Sequence, residues 1–213
     1  MKNINLIVLF FFFLINNFVS SDSDSEINNS IVVKVGNLVI TSIDVQNEII
    51  TNLLINNNEI TQENINKNKN YAVKNLISKS IKKSEIKKFE IKDYNKVDLE
   101  NYIKSVAKNL NTNKVGLKKI FSETGVDYEL FVEKYKIELL WNTLIFNIYS
   151  NQININIFDV ENDIKKIKES DDVEISQKIR QDILNKKKEE KLDLFSRSHF
   201  SNLENTTNIK FNE

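Results

Sequence analysis

Few side chains in this 213-residue chain are suited to catalysis or metal binding. The sequence has one histidine, His199, no cysteine, and two adjacent acid pairs, Asp171-Asp172 and Glu189-Glu190. A lone histidine lacks the histidine and cysteine partners that zinc sites commonly use. Paired acids can do acid–base work, but one pair lies in a predicted linker and the other on a charged helix face. We therefore expect no catalytic residue, metal or cofactor, and we interpret His199 as a helix-terminal or surface residue.

The charge balance argues against a nucleic-acid partner. Thirty Lys and Arg equal thirty Asp and Glu, so the net charge is zero at pH 7. Arg180 and Arg197 are the only arginines, although bidentate arginine is favoured for phosphate and base recognition. The lysine-rich stretch "NKKKEEK" at 185–191 mixes both signs, which predicts an exposed helix face with ion pairs four residues apart.

The first 21 residues, "MKNINLIVLFFFFLINNFVSS", have the pattern of an export signal. One lysine precedes an unbroken apolar run from Leu6 to Ile15, which is about half of the ~20 residues that a spanning helix needs. Val19 and Ser21 form a small-residue cleavage pair. The pattern predicts a signal peptide cleaved between Ser21 and Asp22, and an uncleaved membrane anchor is the alternative. Residues 22–30, which are polar and lack a period, are expected to be a flexible lead-in.

Two strands and a helix are predicted directly after this lead-in. The β-branched runs of "IVVKVGNLVIT", residues 31–41, are separated by Gly36-Asn37, a strong hairpin signal. An isolated hairpin is only marginally stable, so a further element must pack on it. The alternating "TNIKFNE" near residue 209 is the other strand-like segment. We expect the two to pair, which would bring the beginning and the end of the folded chain together.

Helical periodicity dominates the residues between these strands. Thr41 and Asp44 form a predicted N-terminal cap, and clusters of asparagine, which tolerates left-handed backbone, mark the loops. Apolar spacing predicts helices from Thr41 to 55, then at about 68–89, 97–110, a short one ending at Gly125, 127–149, 159–168 and about 176–202. The expected fold class is mainly α with a small antiparallel sheet.

The aromatic residues of the predicted 127–149 helix do not share a single face. If Phe131 and Tyr135 point inward, Trp141 and Phe146 are left for a second surface. Either the last helix and the 159–168 helix cover that surface, or it lines a groove for peptides, since exposed apolar patches mark interaction sites. The candidate peptide-binding residues are Tyr128, Phe131, Tyr135, Trp141 and Phe146.

Four segments, taken in order, resemble the N-terminal domain of SurA-type periplasmic chaperones, a domain also found beside parvulin-type prolyl isomerases. "IVVKVGNLVITSIDVQNEI" is similar to the family's strand-turn-strand-helix opening, and "NLISKSIKKSEIKKFEIK" resembles its second helix, although Glu90 stands where a helix-ending glycine is common. "LKKIFSETGVDYELFVEKYKIELLWNTLI" is the most similar segment. "KIRQDILNKKKEEKLDLFSRSHFSNLENTTNIKF" resembles the closing helix and strand. The resemblance covers most of residues 31–211.

The resemblance implies one chaperone domain over residues 31–213, made of an N-terminal part, 31–168, and a closing helix and strand, 176–213. Only residues 168–176 stand where relatives commonly carry parvulin domains, so no isomerase domain fits. The implied activity is that of a periplasmic, ATP-independent holdase, not an enzyme, whose partners are unfolded or nascent envelope or outer-membrane polypeptides. The alternatives are a prolyl isomerase relative that has lost its catalytic domain, or an adaptor subunit anchored in the inner membrane and facing the periplasm.

Overall fold

The computed structural model describes residues 29–171 and 177–212. The predicted signal peptide, most of the lead-in and residues 172–176 lie outside this range. Within it, the elements run in the order β1 (Ile31–Val35), β2 (Leu38–Thr41), α1 (Ser42–Ile55), α2 (Gln62–Lys88), α3 (Lys96–Asn109), α4 (Lys114–Glu123), α5 (Tyr128–Tyr149), α6 (Ile157–Asp171), α7 (Gln177–Thr206) and β3 (Ile209–Phe211). A short 3-10 turn, Ser150–Gln152, follows α5. The molecule is mainly helical with a small antiparallel sheet, as predicted.

The three strands form a sheet in the order β2-β1-β3, so β1 is its centre. Val35 faces Leu38 on β2 and Ile209 on β3. Gly36, with φ of +55°, makes the hairpin turn, and its N–H donates to the carbonyl of Asn208 at 2.9 Å. The predicted pairing of the hairpin with the strand near residue 209 is confirmed.

Short polar side chains cap the first turns of α1 and α5. The backbone N–H of Asp44 donates to Thr41 Oγ1 at 3.3 Å, and Asp44 Oδ2 accepts from the Thr41 N–H at 2.8 Å. This reciprocal pair satisfies two donors that a helix start leaves unpaired. Asp127 caps α5 through the N–H of Glu129.

Left-handed residues end several helices. Gly125, with φ of +73°, follows α4, as predicted. Asn57 and Asn111 adopt φ of +53° and +51° after α1 and α3, which confirms that asparagine makes turns that glycine usually makes. Glu90, with φ of +53° after α2, adopts the same conformation without being a glycine or an asparagine.

Three helices are longer than their apolar spacing predicts. The helix α2 begins at Gln62 instead of about residue 68, because Thr61 caps it by accepting from the N–H of Asn64. Its first turns are polar and therefore carry no periodic signal. The helices α6 and α7 also extend beyond their predicted ranges, to 157–171 and 177–206.

The core consists of three clusters of buried apolar side chains. The first lies between the sheet and helices α1 and α2, and the second lies mainly among α3, α4 and α5. The third joins α5 to the end of α2, and residues of α7 pack on it. Helix α5 contributes to two of them, as expected of a helix that is apolar almost all round. Among the described residues, no helix has the length and apolarity needed to cross a membrane.

Candidate peptide-binding residues

Tyr128 and Phe131 lie in the core. Their rings pack on Phe121, with centroid separations of 5.9 Å and 5.1 Å respectively, and all three belong to the cluster of α3, α4 and α5. Burial raises the pKa of Tyr128, and the nearby Glu129 carboxylate raises it further. Neither ring offers a free face to a peptide in this structure.

Tyr135 is half-buried and stacks on Tyr102 of α3, with ring centroids 3.7 Å apart and planes 8° apart. Burial is the main reason that the pKa of Tyr102 is raised, and Tyr135 and Glu48 add to the shift. The stacked pair joins α5 to α3. One face of the Tyr135 ring is therefore already occupied.

The last helix covers Trp141. The indole is 2% exposed, its Nε1–H donates to Ser196 Oγ of α7 at 2.8 Å, and Phe200 of α7 meets it edge-to-face at 6.2 Å. The sequence left two interpretations of the second surface of α5: coverage by neighbouring helices or a groove for peptides. At Trp141 the surface is covered by the last helix. Phe146 is different, because 55% of it is exposed. The structure thus separates Phe146 from the four other candidates.

His199 lies toward the C-terminal end of α7, in line with the helix-terminal alternative, whereas the surface alternative was wrong. Its side chain is only 16% exposed and lies where α7 crosses α2 and α5. Nδ1 lies 2.8 Å from the Tyr149 hydroxyl, and Nε2 lies 3.4 Å from Oε1 of the buried Glu85. The sequence could not indicate this, because α7 is charged along its length and its inner face is set by neighbours at least fifty residues away.

The predicted charged surfaces are only partly as expected. Glu189 and Glu190 are exposed on α7. The structure does not describe the side chains of Asp171 and Asp172. In the stretch 185–191, Lys187 pairs with Asp163 of α6 at 2.7 Å instead of with its own helix. The hydrogen bond between them lowers the pKa of Asp163 and raises that of Lys187. This pair therefore connects α6 to α7.

Three exposed apolar side chains lie near the junction of α6 and α7, two at the start of α6 and one on α7. Phe158 is 78% exposed, and Ile157 and Leu194 are also exposed. A shallow cavity of about 120 Å³ lies at this junction, bordered by Ile155, Asn156, Asp159, Lys187, Glu190, Lys191 and Leu194. We call Ile157, Phe158 and Leu194 the α6–α7 apolar surface. Sequence reasoning missed it, because Ile157 and Phe158 precede the helix start that was predicted.

A buried polar network was also missed. Glu48 of α1 is 6% exposed, and its Oε1 accepts from Lys134 Nζ at 2.6 Å, Asn52 Nδ2 at 3.1 Å and Asn75 Nδ2 at 3.2 Å. Lys134 also donates to Asn52 Oδ1 at 2.5 Å. The only signal in the sequence is that Glu48 and Asn52 interrupt an otherwise apolar face of α1.

Among the described residues, no group of three or more histidine, cysteine, aspartate or glutamate side chains is placed to hold a metal ion. Neither a scan against protein-family models nor a search of curated proteins found a match to this chain. The resemblance to SurA-type chaperones stays a prediction.

Proposed function

We propose that this chain is a periplasmic, ATP-independent chaperone that holds unfolded envelope or outer-membrane polypeptides and prevents their aggregation. The observation that carries the proposal is the α6–α7 apolar surface, where Ile157 and Phe158 at the start of α6 and Leu194 on α7 are exposed. Large exposed apolar side chains that lie on one part of a surface are typical of interaction sites. Lys187, Glu190 and Lys191 border the cavity that Leu194 lines, so charged groups lie beside the exposed leucine.

Weak binding is enough for this role. A micromolar complex has a binding free energy of about −8 kcal/mol, and a few large apolar side chains supply a substantial part of it, at roughly 1.5–3 kcal/mol for each one fully buried. Broad specificity follows, because apolar contact does not require a matching set of hydrogen bonds. Release then needs no nucleotide, since the client leaves as it folds elsewhere.

The export pattern of residues 1–21 supports a periplasmic location, as does the order of the four family-like segments. We expect the mature protein to begin at Asp22. N-terminal sequencing of the protein recovered from a periplasmic extract tests this. An intact Met1 in the membrane fraction would favour the anchored adaptor instead.

The decisive experiment is light scattering from a chemically unfolded outer-membrane protein diluted into buffer. The mature protein is expected to suppress scattering, and the double variant Phe158→Ser/Leu194→Ser is expected to suppress it less. Val115→Ser is the matched control, because Val115 is as exposed as Phe158 but lies on α4. No suppression by the parent protein, or equal loss in the control, would contradict the proposal.

Two further assays separate the alternatives. Turnover of a proline peptide would indicate an isomerase. Co-purification of one stoichiometric partner, in place of assorted clients, would indicate an adaptor.

A further inference from the structure

A polar cleft of about 440 Å³ lies on another side of the molecule, between α1, α2 and α5. This volume is within the usual range for ligand-binding clefts. The lining residues from α1 are Glu48, Asn52, Ile55 and Asn56, those from α2 are Tyr71, Asn75, Ser78, Lys79 and Lys82, and those from α5 are Lys134 and Glu138. None of these residues belongs to the α6–α7 apolar surface.

The floor of the cleft is a built polar site. Glu48 and Asn52 are both buried, and Lys134 donates to both at 2.6 Å and 2.5 Å. Apolar residues of similar volume often serve a fold as well as a buried ion pair does. Stability therefore gives little reason for charged and amide groups here, and a fixed set of polar groups in a cleft is typical of ligand recognition.

The rim of the cleft offers apolar and amide groups side by side. Tyr71 is 58% exposed although it is a large aromatic residue, and the partly buried Ile55 lines the same cleft. Asn56 and Asn75 line the same cleft; their Nδ2 groups donate to the Asn52 carbonyl at 2.8 Å and to Glu48 Oε1 at 3.2 Å, and among the described residues neither Oδ1 accepts a hydrogen bond. An amide can both donate and accept, as a peptide group does. This combination complements a peptide unit that carries an apolar side chain.

One lysine of the cleft has no carboxylate partner among the residues that line it. Lys134 is paired with Glu48 at 2.6 Å and Lys82 with Glu138 at 2.5 Å. The third lysine, Lys79, helps to lower the pKa of Glu133 by its charge, but among the described residues it forms no ion pair with any of the cleft's carboxylates. The ionisable side chains that line the cleft therefore sum to a net charge of +1, and among the described residues Lys79 is the lysine of the cleft that no carboxylate of the cleft pairs with.

We infer that this cleft binds the carboxyl-terminal end of an extended polypeptide. The terminal carboxylate is held by Lys79 and the side chain of the last residue packs on Tyr71 and Ile55. The Oδ1 atoms of Asn56 and Asn75 accept hydrogen bonds from the N–H groups of the peptide backbone. Capture of a terminal carboxylate is an established mode of peptide recognition. The inference rests on the proposed function only in naming client polypeptides as the source of the peptide.

The test is calorimetric titration of the mature protein with N-acetyl-Leu-Phe, compared with the same dipeptide carrying a terminal amide. The free acid is expected to bind about tenfold more tightly, because a charge-assisted hydrogen bond to Lys79 is lost with the amide. Lys79→Gln is expected to remove the difference between the two peptides. Lys74→Gln is the matched control, since Lys74 is an exposed residue of the same helix that does not line the cleft.

Equal affinity for acid and amide, or a difference that persists in Lys79→Gln, overturns the inference. Displacement of the dipeptide by acetate at the same concentration also overturns it, because the site would then bind any small anion. The aggregation assay is independent of these results. If the protein suppresses aggregation but does not distinguish the acid from the amide, the proposed function holds and the inference about the cleft fails. If it distinguishes the two peptides but does not suppress aggregation, the inference about the cleft holds and the proposed function fails.

Discussion

At the scale of single residues, Trp141 depends on one hydroxyl. The Ser196 oxygen, 2.8 Å from the indole nitrogen, is its hydrogen-bond acceptor in an otherwise apolar cluster. A buried donor that loses its acceptor costs about 1–3 kcal/mol. The contact also fixes where α7 lies on α5, so its loss should affect the whole interface.

We predict that Ser196→Ala lowers the free energy of unfolding by about 1–2 kcal/mol, after the small gain in helix propensity from alanine. Urea unfolding followed by the emission of Trp141, the single tryptophan, measures the change. Ser198→Ala is the control, because Ser198 is exposed on the same helix. If the two variants unfold at the same urea concentration, the hydrogen bond does not stabilise the interface.

Glu133 gives the stability a dependence on pH. Lys83 Nζ donates to its carboxylate at 2.8 Å, and this hydrogen bond is the main reason that its pKa is lowered from 4.5 in the folded chain. The unfolded state therefore binds more protons in the acid range. The contribution of Glu133 to stability is complete above the ordinary glutamate pKa and is lost as the pH falls through the lowered value.

We predict that Glu133→Gln destabilises the protein at pH 7 by at most about 1 kcal/mol, since the pair is partly solvent-exposed. The difference from the parent should shrink as the pH is lowered and disappear below the folded-state pKa. Urea midpoints at several pH values test this. In a Lys83→Gln background, Glu133→Gln should change the free energy of unfolding little further. If it destabilises that background as much as it destabilises the parent, lysines other than Lys83 lower the pKa of Glu133.

At the scale of elements, the end of α2 carries a conformational cost. Glu90 adopts φ of +53°, where a Cβ atom meets the neighbouring carbonyl at a cost of roughly 1–2 kcal/mol. Glycine has no such contact, although it loses more backbone entropy on folding. It is also the position at which the sequence resemblance to SurA-type chaperones predicts a helix-ending glycine.

We predict that Glu90→Gly raises the free energy of unfolding by about 0.5–1 kcal/mol. Thermal unfolding measures the gain. Glu90→Ala keeps the Cβ atom and should leave stability nearly unchanged, so it separates the backbone effect from the loss of charge. Equal stabilisation by both substitutions would show that the charge, not the backbone, is responsible.

The elements also show which parts of the structure are readable from the sequence. The hairpin at Gly36 and the cap at Thr41 were predicted correctly, because each is specified by residues within four positions. The burial of His199 and the coverage of Trp141 were not specified locally. They depend on α7 packing across helices that are distant in sequence, and the apolar spacing of α7 is too weak to indicate an inner face.

The candidate site was less predictable than the fold for the same reason. Aromatic residues on α5 were chosen by type, but type does not distinguish a core ring from a surface ring when a helix is apolar almost all round. Phe146 proved exposed, whereas Phe158 and Glu48 were not singled out. The exposure of Phe158 and the burial of Glu48 depend on how the neighbouring helices are placed, which the local sequence does not specify.

At the scale of the whole molecule, the pairing of β1 with β3 closes the chain. Lys34 and Lys210 are directly opposite each other and exposed. They lie between two backbone hydrogen bonds, Gly36 to Asn208 and Asn212 to Val32. In an antiparallel ladder, facing residues at this position form a hydrogen-bonded pair whose Cα atoms are about 5.5 Å apart. A disulfide spans this distance.

We predict that Lys34→Cys/Lys210→Cys forms a disulfide on oxidation, without competition because the chain has no other cysteine. Closing so long a loop should stabilise the oxidised form by up to about 5 kcal/mol in the chain-entropy model. Faster migration on a non-reducing gel and a higher unfolding midpoint measure it. The single variants cannot form the link and are the controls, and a double variant that stays reduced would contradict the register.

The central position of β1 has a consequence for how the polypeptide is made. A ribosome synthesises β3 long after β1 and β2, so in a nascent chain ending at residue 206 the edge of β1 that later pairs with β3 is open. Unpaired edges readily add other extended segments, and pairing between distant strands is slow. A protein proposed to protect others from aggregation thus passes, during its own synthesis, through the hazard that it is proposed to relieve.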